Sequence, residues 1–317
     1  MKTYNGRRFF LKTSERVCHG LLALLLTVVL GYGCETLDSV TSLGKTFAVQ
    51  SGVVTDSQAQ SIIESGKAVA KTFEDFTPEQ EYYIGRTVGA MVLSRYEPYR
   101  NKRANIYLNV LGQTLARASD LPETFGGYHF LIQDSDEINA FAAPGGLIFV
   151  TRGMLRCCTT EDSVAAVLAH EIGHVQHKHG LQAIKKSRIT SALTTIGAEG
   201  AKQLGGENLA RITQTFENAI SDITQTLINN GYSRSFEAQA DAAAIMIMER
   251  AGYEPNALMA MLHVMKGKLK PGGIDFAKTH PSPERRITWI RKRIGQFKSV
   301  KPHTIRQSRF SNALGGI

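Results

Sequence analysis

Several common classes of protein are excluded by what this chain has little of. Four cysteines among 317 residues do not make a disulfide framework. Two of them, Cys157 and Cys158, are adjacent. A trans peptide holds neighbouring Cα atoms about 3.8 Å apart, short of the usual disulfide range, so these two read as free thiols without a metal. The uncharged run from Gly20 to Gly33 has fourteen residues, too few for a membrane span of about twenty. No internal repeat is visible, and no second folded domain is expected in residues 301–317. The net charge is +9, but no basic and aromatic recognition motif accompanies it, so nucleic acid is not the expected partner.

The short apolar run is better explained as an export signal. Lys2, Arg7, Arg8, Lys12 and Arg16 precede it, giving residues 1–33 the form of a cleaved signal peptide. Within it, Arg7-Arg8-Phe9-Phe10-Leu11-Lys12 resembles the twin-arginine motif. Cys34 closes the run as the acylated cysteine of bacterial lipoproteins does, although Gly31 stands where an aliphatic residue is usual. The expectation is a mature chain held to a membrane by a lipid on Cys34, with a freely secreted product or an uncleaved anchor as the alternative. Losing residues 1–33 removes five basic and one acidic side chain, leaving a charge of +5. Residues 34–70, rich in Ser, Thr and Gly, read as a tether. Arg285, Arg286, Arg291, Lys292, Arg293, Lys298, Lys301, Arg306 and Arg309 form a basic C-terminal cluster, ending in a tail at 301–317. It suits an anionic envelope surface or a solvated helix face.

The chemistry is concentrated in His170-Glu171-Ile172-Gly173-His174. Four residues apart on a helix, the two imidazoles stand about 40° apart around the axis and can reach one metal ion. Glu171 projects to the side, where it can hold a water and take its proton without being a ligand. Val164, Val167, Leu168, Ile172 and Val175 supply an apolar helix face. Thr159, three residues before Asp162, is the expected cap. Gly173 costs a helix roughly 1 kcal/mol, which implies that a second backbone or a ligand comes close. A catalytic zinc needs a third protein ligand and an open position. The subclass with a third histidine soon after the motif is excluded, since positions 177 and 180 hold His177 and Gly180. Glu237 and Asp241, one turn apart, offer a ligand and a carboxylate for the outer N–H of a ligand histidine.

The chain resembles the HtpX-like and CAAX-prenyl-protease-like zinc metallopeptidases, in particular their soluble envelope members. The resemblance rests on five ordered blocks across about residues 77–290: Thr77-Pro78-Glu79-Gln80-Glu81 with Gly85; Asn139 to Gly146 with Thr151-Arg152-Gly153; His170 to His174; Arg234 to Asp241 with Ala251-Gly252-Tyr253; and His280-Pro281-Ser282-Pro283-Glu284-Arg285. It implies one Zn2+ per chain on His170, His174 and Glu237, with Glu171 as general base and Asp241 as the acid that follows the third ligand. It places His280 near the active site, either donating to the developing oxyanion or occupying the open metal position.

Phe130 to Ile132 and Leu147 to Val150 read as two strands broken by Pro144-Gly145-Gly146. Asn139-Ala140-Phe141-Ala142 between them is too small and apolar for a solvated loop, and as a sheet edge it could pair with an extended substrate. A plain hairpin over the core is the other reading. Residues 181–231 form an insertion, with Leu209, Ile212, Phe216, Ile220, Ile223 and Leu227 as an apolar helical stripe for a lid, an interface or packing. The expected whole is a mostly helical α+β zincin-like domain over 71–300, an endopeptidase for unfolded or misassembled envelope polypeptides. The alternative is a chaperone-like binder of such chains. Oligomeric state is not legible.

Overall fold

The computed structural model describes residues 75–186, 231–268, 280–294 and 303–317, together with Lys45, Thr46, Val49, Gln50, Thr55 and Asp56. The expected signal (1–33), the Cys34 anchor, most of the tether and the stripe from Leu209 to Leu227 lie outside these residues. The chain divides into two compact units, Met1–Asp75 with Arg188–Asn218, and Phe76–Ser187 with Ala219–Ile317. In the first, Lys45 Nζ lies 3.2 Å from Asp56 Oδ1. The second carries every element described below.

Its elements are α1 (Pro78–Arg95), α2 (Lys102–Arg117), β1 (His129–Gln133), β2 (Ala140–Ala143), β3 (Leu147–Thr151), α3 (Arg152–Leu155), α4 (Glu161–Gln176), α5 (Arg234–Arg250), α6 (Asn256–Lys268), α7 (Pro283–Ile294) and α8 (Thr304–Leu314). This is the mostly helical α+β fold expected. None of the described helices is long and apolar enough to cross a membrane.

The sheet has three strands rather than two, in the order β1-β3-β2. β1 runs parallel to β3, and β2 forms the hairpin with β3 through Pro144–Gly146. The turn needs its glycines, since Gly145 and Gly146 have φ of 76° and 97°. It also explains Gly85 on α1, where a Cβ would stand 1.9 Å from Pro144 O. Thr77 and Gln80 close a capping box at the start of α1. The buried Glu81 then accepts the Gly145 N–H at 3.2 Å. The two outer edges of the sheet are finished differently. On β1, Asn105, Asn109 and Gln113 lie at four-residue steps along α2. They bond the backbone of Ile132, Phe130 and Tyr128. On β2, no further strand follows among the described residues.

The helix α4 is central rather than one-sided, because Glu161 through Val175 are all buried. Its cap is Thr160, one residue later than expected, with its hydroxyl accepting Ser163 N–H at 3.1 Å. The close approach expected at Gly173 is the backbone of α5: a Cβ there would stand 2.9 Å from Ala240 O and 3.1 Å from Ala243 Cβ. Small residues on both helices thus let the two ligand-bearing segments pack against each other.

Residues 304–314, read as part of a basic tail, form α8, with Ala313 and Leu314 buried in the core. Arg306 Nη1 donates to Asp162 Oδ1 at 2.9 Å, and Arg309 donates to Glu161 through Nε and Nη2. Tyr107 and Tyr253 hydroxyls also donate to Glu161, so this buried carboxylate at the start of α4 is fully bonded. The basic cluster is therefore divided. Arg306 and Arg309 hold the fold, Arg286 is buried, and Arg285, Arg291, Lys292 and Arg293 remain exposed on α7. Cys157 and Cys158 are buried free thiols, and burial pushes Cys158 up.

Candidate metal centre and active site

Helices α4 and α5 bring the metal-ligating residue types together at one point. His170, His174, Glu237 and His280 are all buried, and one donor atom of each lies within 4.8 Å of the others. His170 Nε2 and His174 Nε2 are 3.2 Å apart. Glu237 Oε2 is 3.5 Å from the first and Oε1 is 3.4 Å from the second. Zinc sits about 2.0–2.1 Å from nitrogen or oxygen ligands, so tetrahedral ligands stand about 3.3–3.4 Å from each other. The three gaps lie near that edge, two of them to different oxygens of Glu237, so the donor set is of the kind and spacing that zinc takes. His280 behaves differently. Its Nδ1 is 2.9 Å and 3.0 Å from the two Glu237 oxygens, hydrogen-bond distances rather than a ligand spacing.

The orphaned atom of the site is Glu171 Oε1, which is buried and has no hydrogen-bond partner among the described residues. A bare carboxylate oxygen is costly unless something else occupies its lone pairs. It lines a cavity of about 30 Å3 with Tyr232, His280, Phe141, Pro144 and Val88. By that measure the cavity has room for about two waters.

Behind the donors, each histidine has its own support. Asp241 Oδ1 accepts from His170 Nδ1 at 2.9 Å, the arrangement expected of Asp241. Asp241 is itself gripped by Arg286, with Nη2 at 2.5 Å and Nε at 3.1 Å. On the other side, His174 Nδ1 is 2.9 Å from His179 Nδ1, and His179 Nε2 is 3.0 Å from Gln239 Oε1. Tyr232 stacks on the His174 ring at 4.3 Å, and its hydroxyl donates to Ala142 O at 3.2 Å. Arg286, His179, Gln239 and Tyr232 carry no signal of their own in the sequence. In the sequence Arg286 is one of a basic cluster, although it adjoins the His280 to Arg285 block.

The electrostatics follow from this packing. Burial and the Arg286 charge push His170 down, but its bonds to Asp241 and Glu237 outweigh them and bring it to about 9. Burial lowers His174. Burial would raise Glu237, yet His280 and the bonds from His170 and His174 hold it well below the usual carboxylate range. Asp241 is likewise held down, against burial, by Arg286 and His170. Both carboxylates are thus anionic, the state a cation site requires.

The strand expected as a substrate edge, Ala140 to Ala142, borders the same cavity. Thr151 N donates to Asn139 O at 3.1 Å, which makes that pair a hydrogen-bonded one. Alternation along the ladder then directs the N–H and C=O of Ala140 and Ala142 away from β3. Asn139 itself is turned inward, its Oδ1 accepting the Ala140 N–H at 2.9 Å. Of the four residues, Ala140 and Ala142 carry the outward polar groups and Phe141 a side chain at the cavity wall.

Comparison with known proteins gives one family. The model of peptidase family M48 matches residues 102–294, more than half of the chain. The beta-barrel assembly-enhancing protease of Escherichia coli K12 is 28% identical over 222 residues, covering 69% of this chain and 44% of that protein. The putative beta-barrel assembly-enhancing protease of Vibrio cholerae is 31% identical over 238 residues, covering 72% and 47%. Mitochondrial metalloendopeptidase OMA1 of Schizosaccharomyces pombe is 33% identical over 159 residues, covering 48% and 42%. The chain thus spans less than half the length of these relatives.

Proposed function

This chain belongs to peptidase family M48, and we propose that it is a zinc endopeptidase that cuts unfolded or misassembled polypeptides of a bacterial envelope. The observation that carries this reading is the buried Glu171 Oε1, without a hydrogen-bond partner among the described residues, beside three donor side chains 3.2–3.5 Å apart. His170, His174 and Glu237 would hold the metal. Zinc in that place supplies Lewis acidity, polarising a peptide carbonyl and lowering the pKa of water. Glu171 takes the proton of the attacking water at Oε1 and delivers it to the leaving amine. Asp241, gripped by Arg286, orients His170. His280, bonded to Glu237, stands at the cavity wall where it could donate to the oxyanion once that bond is released.

The substrate class rests on β2. An extended chain bonded to the outward groups of Ala140 and Ala142 would be read through its backbone, which selects unfolded segments over particular side chains. The envelope assignment rests on the signal-like residues 1–33, the lipoprotein-like Cys34 and the names of the barrel-assembly relatives. The chaperone-like alternative finds no support in the site, whose donors and base are all in place.

The test is cleavage of an unfolded polypeptide such as denatured casein by the zinc-loaded protein. Wild type should cut it, a chelator should stop the cutting, and Glu171→Gln should keep zinc yet lose at least about a hundredfold in rate, as loss of a general base does. Glu237→Ala should lose the zinc itself. Binding without cutting by a fully loaded wild type would overturn the hydrolase reading.

A further inference from the structure

The two ligand histidines turn their outer nitrogens to unlike partners. His170 has the carboxylate of Asp241. His174 Nδ1 faces, among the described residues, another imidazole, that of the fully buried His179. A neutral imidazole offers one donor and one acceptor, so the hydrogen on one nitrogen dictates the role of the other. Gln239 Oε1, facing His179 Nε2 at 3.0 Å, is an acceptor and calls for hydrogen on that nitrogen. His179 Nδ1 is then left as an acceptor, and the His174 Nδ1 opposite it at 2.9 Å must carry the hydrogen. That leaves the lone pair of His174 on Nε2, which faces His170 and Glu237 across the donor cluster.

We propose that His179 is a positioning residue for the metal site, its Nδ1 accepting the His174 Nδ1–H and so fixing the tautomer and rotation of that ligand. The local fold holds His179 to this task. α4 ends at Gln176, and Lys178 turns the chain in the left-handed region at φ 53°, so that a residue five places after His174 returns to its outer nitrogen. Lys178 Nζ is tied at 3.3 Å to Glu81, which also bonds the turn before β3. The His179 ring is stacked on Phe236 at 4.3 Å and 7°, on the first turn of the helix that carries Glu237. Rotation of His179 away from His174 would have to break that stack and the Gln239 bond together.

The inference rests on His174 being a zinc ligand, and its test reads zinc rather than peptide cleavage. Zinc affinity is measured by competition with a chromophoric chelator for wild type, His179→Asn and His179→Leu in the full chain. Asn places a carbonyl oxygen where Nδ1 stands, whereas Leu keeps bulk and removes the acceptor. The Leu variant should bind zinc about 10–100-fold more weakly, as loss of an outer partner does, and the Asn variant should stay within about threefold of wild type. Unchanged affinity in the Leu variant, or equal loss in both, would reduce His179 to packing. Wild type alone supplies a second reading. In zinc-loaded protein with 15N-labelled histidine, the His174 Nδ1 proton should show scalar coupling to a second imidazole nitrogen. A proton on His179 Nδ1 instead would overturn the proposal. A wild type that binds no zinc would count against the ligand assignment, which separates that failure from this one.

Discussion

The two outer edges of the three-stranded sheet meet opposite treatment. Along β1, the side chains of Asn105, Asn109 and Gln113 bond the backbone of Ile132, Phe130 and Tyr128, and Tyr99 N donates to Ile132 O at 2.8 Å. Along β2, the outward groups of Ala140 and Ala142 meet the Asn139 carboxamide and a single phenol, that of Tyr232. An edge strand is a template for pairing with any extended chain, and proteins normally block it. One helix face of carboxamides does so on the side remote from the donors. The edge beside Glu171 is met by side chains from just before its own strand and from the segment before α5, not by a row along a helix. The contrast is what a protein needs if it is to pair with unfolded chains at one place and avoid them elsewhere.

The largest effect expected from breaking this contrast lies on the sealed side. Asn109→Leu removes both the acceptor for Phe130 N–H and the donor to Phe130 O. With about 1–3 kcal/mol for each of the two buried polar groups left unsatisfied, stability should fall by about 2–6 kcal/mol in urea unfolding. Activity per folded molecule should be unchanged, since nothing near Glu171 moves. A matching loss of activity without loss of stability would put β1 at the substrate. The open side should answer in the reverse sense. Proline at 142 is tolerated by an edge strand whose N–H points outward, so Ala142→Pro should leave folding and zinc content nearly intact. It removes one backbone donor to the substrate, worth about 0.5–1.5 kcal/mol, and KM for an unfolded polypeptide should rise up to about tenfold. An unaltered KM would detach the substrate from β2.

What the sequence made legible is whatever depends on spacing within one element. His170, Glu171 and His174 share a helical turn, and Glu237 and Asp241 share another, so their grouping follows from local geometry. Gly173 announced a close backbone for the same reason, since glycine in a helix interior is costly without cause. The parts that stayed hidden depend on which segments meet. His179 returns to His174 only through the left-handed turn at Lys178. Arg286 reaches Asp241 only because α7 packs over α5, and in the sequence it is one arginine among many. α8 reads as a solvated basic tail because Arg306 and Arg309 reveal nothing of the carboxylates at the start of α4 that they meet. The parallel pairing of β1 with β3 was hidden because a short apolar run carries no information about strand order.

The central claim is that polypeptide adds to the β2 edge beside a zinc-loaded site, and hydrogen exchange reads it most directly. Zinc-loaded Glu171→Gln would be mixed with an unfolded polypeptide that it binds without cutting. The account predicts slowed exchange at the Ala142 amide and its neighbours on β2, as the substrate takes the carbonyl now held by Tyr232, with Phe130 and Ile132 on β1 unchanged. Protection that appears on other surfaces while β2 exchanges as before would contradict it.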